Sequence, residues 1–429
     1  MGSTGHPNVF RVAIVGGGIG GLFCALSIHH HCQRAKVLVR IDVYEQAAEY
    51  KEIGAGVGLG VNAARLIHRL GLGTQLNAIG GDRRGVWFSF RRFDNSEDII
   101  TIAQPSQGEV REAPCARSNL LNMLLEAVET RQAATLHKNK ACMTLEEQGD
   151  TVDICFRDGS KATANLVVGC DGIHSAVRNQ FADDKPVNSG TIAYRGVVPI
   201  ASLTDWPFQH YNNIWAAKHK HFLTYPITKN KDMNIVAFVT KGKREVSDVK
   251  ESWTSICDRK DVEEDFREFD EPVQQIISLM EEKPSRWLLN DREPLLQWHF
   301  LEGKVVVLGD AAHAMLPHMG AGAGQAIEDA WMLGRALSDH LSPLLEENSS
   351  STLKSAMQFF QDLRLPRAQK VQANSRIAGN TYEMQTEEMA PLTYDECIPI
   401  LAECTKERMK WVWNEDIDEA YEHAKSELR

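Results

Sequence analysis

The chain has 429 residues, with 47 Lys and Arg against 58 Asp and Glu and a formal net charge of −11. That balance excludes a basic nucleic-acid binder. Hydrophobic residues at 43% and charged residues at 24% exclude disorder and fibrous repeats and leave a globular chain with a packed core. The length exceeds what one core supports, so two domains, or one large domain with an inserted second, are expected.

Taken in chain order, the apolar run Arg11 to Val15 ends in glycines. Leu22, Phe23, Ala25, Leu26 and Ile28 then follow at helical spacing, and a second run spans Val37 to Tyr44, which together predict β–α–β. A glycine-rich stretch, Gly54 to Gly60, leads into a short helix over Ala63 to Leu70 that Gly71 can stop in the left-handed region. Ser118 is placed to cap a helix carrying Leu120, Leu121, Leu124, Leu125 and Val128. Val152 to Phe156 and Asn165 to Val168, with Asp158-Gly159 between them, predict a hairpin feeding a strand. From Thr191 to Val239 every apolar run is strand-like, which predicts a separate antiparallel sheet. A charged helix is expected over Val262 to Glu282, the βα pattern returns at Lys304 to Ala314, and the chain beyond Gln325 reads as helical.

The expected fold is therefore α/β. A discontinuous Rossmann-like domain (1–183 and 287–365) carries an inserted antiparallel β-sheet domain (184–286), and a helical C-terminal region covers 366–429. The nine cysteines are odd in number and never form a C-x-x-C pair, which fits a reducing, cytoplasmic setting. No stretch approaches the roughly 18 apolar residues of a membrane span. The start lacks a secretory pattern, His6 spoils a myristoylation signal at Gly2, and Glu427-Leu428-Arg429 is no peroxisomal address. A soluble monomer or homodimer is expected, with neither nucleic acid nor membrane as partner.

Three glycine-bearing turns carry the chemistry. Gly16, Gly18 and Gly21 form G-x-G-x-x-G between a strand and a helix. The first glycine makes the tight turn, the second lets backbone approach a pyrophosphate, and the third lets the helix pack on the sheet. Glu45, at the end of the next strand, is the carboxylate that takes the ribose hydroxyls. A dinucleotide is therefore expected. Val168 to Arg178 is a second strand ending in a turn, Asp171-Gly172. A third turn, Gly309-Asp310, leads through Pro317 to Gly324 into another helix, roughly 300 residues after the first. Asp310 can accept from a ribitol hydroxyl and the new helix N-terminus can face an anion.

With EIGAGVGLGVNAARLI, VWFSFRR, AYRG, GDAAHAMLPHMGAGAGQAIEDA, DLRLPRAQKVQ and WVWNEDID, these turns make nearly the whole chain resemble the class A FAD-dependent aromatic hydroxylases, salicylate hydroxylase branch. The resemblance implies FAD as cofactor, NADH or NADPH as co-substrate, and O₂ with a small aromatic as partners. It implies hydroxylation of a phenolic acid beside its hydroxyl through a flavin C4a-hydroperoxide, with loss of CO₂ to a catechol where the attacked carbon bears a carboxylate. It also implies that Arg117 contacts the flavin side, that the Asp171 turn touches FAD and nicotinamide, that Gly309 and Asp310 bind the ribitol-phosphate, and that Pro317, Gly322 and Ala323 lie along the isoalloxazine. Two departures stand out. Met319 follows Pro317-His318 where bacterial salicylate enzymes carry Gln. Tyr225 stands where they carry Phe and where fungal phenol-dearomatising relatives carry Tyr, which keeps an oxidative dearomatase of a phenolic polyketide as the alternative.

Three residues are candidate catalytic groups. Arg195 shares a strand face with Ala193 and Val197; a cation there is either an edge arginine or, as the resemblance favours, the partner of a substrate carboxylate or phenolate. In a chain this acidic, an anionic substrate needs such a local cation. Tyr225 is either a core tyrosine or a hydrogen-bond partner of the phenolate. His318 is either structural or a base near the flavin. His313 is read as structural, and His29, His30 and His31 diverge around a helix and cannot converge on a metal.

Overall fold

The computed structural model describes residues 9–50, 56–81, 85–104, 108–242, 255–342 and 352–427. Gly2, His6, Gly54, Leu428 and Arg429 fall outside that set. Six strands form the first sheet in the order His299–Phe300, Val305–Val307, Leu166–Gly169, Phe10–Val15, Val39–Tyr44, Thr135–His137. All neighbours are parallel except the His299–Phe300 edge. Parallel strands are buried on both faces, which is why Leu166–Gly169 and Val305–Val307 read as unbroken apolar runs. The chain steps to one side of Phe10–Val15 first and to the other later, so the strand order reverses at that strand. Ligands of such sheets bind outside the carboxyl ends at that reversal.

Helix Ile19–Arg34 covers one face, burying Leu22, Phe23, Leu26 and Ile28. Each such side chain contributes roughly 1.5–3 kcal/mol. It packs on helix Gly322–Leu341 so closely that a Cβ on Gly334 would lie 2.5 Å from Ser27 Oγ. The short helix Val61–Arg69 is followed by Gly71 at φ +78°, as expected. Ser118 is not a cap: the helix runs Arg117–Thr130, starts after Ala116, and has no side-chain cap.

The second sheet has seven strands, ordered Ser285–Asp291, Val187–Pro199, Asp232–Thr240, Lys220–Ile227, Asn213–Ala217, Val86–Arg92, Asp98–Ala103. Neighbours are antiparallel apart from the parallel pairing of Asn213–Ala217 with Val86–Arg92. The segment 86–103, which the sequence reading left in the first domain, supplies two of these strands. The predicted helix over Val262 to Glu282 is two helices, Arg259–Asp265 and Glu271–Leu279, the second carrying a proline in its first turn, where a missing N–H costs nothing. The boundary drawn at 365/366 falls inside one long helix, Leu353–Tyr382, which contains Pro366. A mid-helix proline costs about 3 kcal/mol. Arg364 and Arg367, on either side of it, are tied into buried carboxylates and fix this part of the helix in place. Among the described residues no helix is long and apolar enough to cross a membrane.

Candidate functional site

Parallel register brings the predicted turns side by side. Val15 lies beside Tyr44 on one flank and Gly169 on the other, and Gly169 lies beside Val307. Gly16, Glu45, Asp171 and Gly309 therefore leave the same carboxyl edge. Gly16 sits at φ +104°, and a Cβ there would be 2.4 Å from the Cys170 carbonyl oxygen. A Cβ on Gly21 would fall 2.0 Å from the Gly16 oxygen, whereas one on Gly18 would meet nothing within 4 Å. Gly18 thus leaves open the space a pyrophosphate needs, before a helix whose N-terminus has no side-chain cap. Glu45 accepts from Gly17 N (2.7 Å) and Ala47 N (2.8 Å). A carboxylate has about four lone-pair sites, so capacity for ribose hydroxyls remains.

The Asp171 carboxylate closes its own turn, accepting from Ser175 Oγ (2.5 Å) and Val177 N (3.1 Å), with Gly172 at φ +78°. Burial pushes its pKa up despite these bonds. Arg178, in the same motif, is fully buried; it pairs with Asp184 (2.6 Å) and donates to the carbonyls of Ala311 (3.2 Å) and Ala312 (3.1 Å). It therefore fastens the second turn to the third.

In that third turn Gly309 has φ +60°, and its N–H donates to Asp329 Oδ2 (2.9 Å). Asp329 also holds His313 Nε2 (2.6 Å) and Arg364 (2.8 Å), and next to it Glu328 takes Arg364 (2.7 Å), Arg367 (2.8 Å) and Asn62 (2.5 Å). His313 is structural, as read. This buried ionic cluster supports the turn from behind and leaves Asp310 exposed in front. Gly322, 4.0 Å by its would-be Cβ from Asp310 Oδ1, opens the next helix. Pro317 is exposed, and Gly322 and Ala323 are partly so. An open glycine, a free helix end and an exposed acid along one edge fit an extended dinucleotide. The sequence reading missed Arg178, Arg364, Arg367, Glu328 and Asp329. Their only signal was charge inside otherwise apolar or helical segments.

Arg117, Arg195 and Tyr225 come within electrostatic reach of one another. Arg117 follows Ala116, which pairs with Gly56. The Tyr225 hydroxyl packs so tightly on Gly56 that a Cβ there would be 2.5 Å away, and Asn234 Oδ1 takes the Gly56 N–H at 2.6 Å. Register places Arg195, Val236 and Leu223 in a row, with Tyr225 and Asn234 one step along the same face. The Arg195 guanidinium lies 4.5 Å over the Trp287 ring, a cation–π contact. Burial lowers its pKa to about 10, with Tyr225 opposing and Arg117 adding to the shift. Desolvation lowers Arg117 as well, against the pull of Asp310.

His318 sits one row along the same sheet face, against Phe238. It is buried, its ring centroid 5.0 Å from Phe238 and 5.3 Å from His221, and Gly379 leaves room for its edge. Burial, and then His221, push its pKa well below the usual value.

A family described as "FAD binding domain" matches residues 10–375. A salicylate hydroxylase of Pseudomonas putida is 31% identical over 430 residues, covering 95% of this chain and 92% of that protein. A 6-methylsalicylate 1-monooxygenase of Aspergillus terreus is 30% identical, covering 96% and 90%. The solved structure of a salicylate hydroxylase substrate complex superposes with TM-score 0.79 at 28% identity and covers 98% of both chains.

Proposed function

Because this chain belongs to the FAD-dependent aromatic hydroxylases, in the salicylate hydroxylase branch, we propose that it uses NAD(P)H and O₂ to hydroxylate a small phenolic acid beside its hydroxyl, with decarboxylation to a catechol as the leading outcome. The observation that carries this reading is the Arg195 guanidinium, desolvated on a wall of Ala193, Leu223, Val236 and Phe238 with Arg117 and Tyr225 beside it. Two cations on an apolar wall favour a flat anionic guest over a neutral one.

Bound FAD supplies the redox chemistry, and Gly16, Gly18, Gly21, Glu45, Gly309, Asp310 and Gly322 would hold it along the carboxyl edge. Arg195 orients the carboxylate or phenolate, Tyr225 donates to the phenolate oxygen, and His318 takes the phenol proton. Asp171 acts by keeping its turn closed, and Pro317 with Ala323 would lie along the flavin ring. Because a phenolate is a far stronger nucleophile than a phenol, cations that favour ionisation speed the step.

The purified, FAD-loaded protein given salicylate should consume NADH or NADPH faster than without it and form catechol. If neither reductant responds and no catechol appears, this substrate class is wrong. Tyr225 supports the second reading, an oxidative dearomatase of a phenolic polyketide. Mass spectrometry showing loss of a carboxyl group excludes it.

A further inference from the structure

Farther along the sheet face that carries Arg195 lies a second polar space. A cavity of about 90 Å³ is lined by His318, Gly379, Glu383, Thr240, Asn380 and Gln385, among others. Its walls are rich in hydroxyl, amide and carboxylate groups and it has room for a few ordered waters. His318 reaches it edge first. A Cβ on Gly379 would strike His318 Cδ2 at 2.6 Å and Nε2 at 2.7 Å, while His318 Nδ1 is buried with no hydrogen bond. The imidazole thus lines the cavity on one side and packs on Phe238, of the Arg195-bearing face, on another. Glu383, 2% exposed, is held there by His221 Nδ1 (3.0 Å) and Gln385 Nε2 (2.7 Å).

We propose that this cavity is the proton exit of the aromatic site, with His318 as the gate and Glu383, oriented by His221, as the carboxylate that takes the proton before it reaches solvent. The inference rests on the phenol reading above. In the step, the phenolic O–H bond breaks and its electron pair stays on oxygen as phenolate. The proton binds His318, leaves from its other ring nitrogen into the cavity, passes to Glu383, and is lost to bulk water. His318 and Glu383 line the same cavity, and burial disfavours the charged imidazole, so the proton passes on rather than staying on the ring. The other groups facing the pair are Tyr382, whose ring centroid is 5.8 Å from that of His221, Arg408 beyond it, and Arg376 at the cavity rim, the last neutralised by Asp291 and Glu293.

The test mixes FAD-loaded enzyme with 5-nitrosalicylate in a stopped-flow instrument without reductant, following phenolate absorbance together with a pH indicator. Glu383→Gln keeps shape and the contact with His221 but cannot accept a proton. It should slow phenolate formation and proton release by about tenfold or more, while probe affinity and FAD content stay as in wild type. Glu383→Asp should recover part of the rate, and Thr240→Val, which makes one cavity wall apolar, should slow it severalfold without touching Glu383. Wild-type rates in both Glu383→Gln and Thr240→Val overturn the exit. So does a wild-type enzyme that binds the probe without ionising it, even while salicylate still stimulates NAD(P)H consumption. Absence of any phenolic-acid binding by the wild type instead overturns the function proposed above.

Discussion

Asp329→Asn tests whether the Gly309 turn is held by the buried ionic cluster rather than by its own backbone. Asp329 accepts from Gly309 N and His313 on one oxygen and from Arg364 on the other. Asparagine presents only one oxygen. Whichever way the amide turns, its NH₂ faces a donor, either Arg364 or the Gly309 and His313 pair. Breaking a buried pair typically costs 3–5 kcal/mol. Arg364 keeps Glu328 (2.7 Å) and Gln325 Oε1 (2.8 Å), so the low end, about 3 kcal/mol, applies. The loosened turn should also weaken FAD binding by about tenfold, equivalent to about 1.4 kcal/mol. Urea unfolding of the FAD-free protein, followed by tryptophan fluorescence, isolates the first effect, because bound cofactor would add its own stabilisation. Titration with FAD measures the second. A variant with the wild-type urea midpoint and the wild-type FAD affinity refutes the cluster's role.

Gly18→Ala should fold normally, since its Cβ meets nothing within 4 Å, yet lose FAD affinity. Gly21→Ala, with its Cβ 2.0 Å from a carbonyl oxygen, should yield little folded protein; equal behaviour of the two on gel filtration and FAD titration would contradict the assignment. Arg195→Ala should raise KM for the phenolic acid or divert turnover to H₂O₂ with FAD retained, and unchanged coupled kinetics would retire that role. Asp310→Ala should lose FAD on dialysis, and full occupancy would refute the ribitol assignment. Desolvation pushes Glu328 up, but Arg367 and Arg364 outweigh it and bring its pKa from 4.5 to about 2. His313 and Arg364 bring Asp329 from 3.8 to about 2 against the same desolvation. A carboxylate depressed in the folded state stabilises above its unfolded pKa and stops doing so as pH falls through the folded one. The urea midpoint should therefore hold from pH 7 to about 5 and fall steeply between about 5 and 2. A Glu328→Gln variant with the same acid profile would show that other groups govern it.

By itself the amino-acid order determined the three turns, the flavin-type domain and the presence of a second sheet. Each depends on neighbours within a few residues: apolar runs that can only be buried strands, and glycines where a side chain would strike backbone, as at Gly16 and Gly21. The resemblance to the aromatic hydroxylases, rather than local pattern, singled out Arg117 and favoured Arg195 and Tyr225, one at a time. Only the tertiary structure decided that they share one corner, that Val86–Arg92 and Asp98–Ala103 join the second sheet, and that His318 turns its edge to Gly379 and a cavity. It alone decided that Arg364 and Arg367, either side of a proline, close on Glu328 and Asp329. Pairings across tens or hundreds of residues carry no periodicity of their own. They follow from which faces the folded sheets leave to be covered, and a buried arginine and an exposed one are written with the same letter until that covering is known.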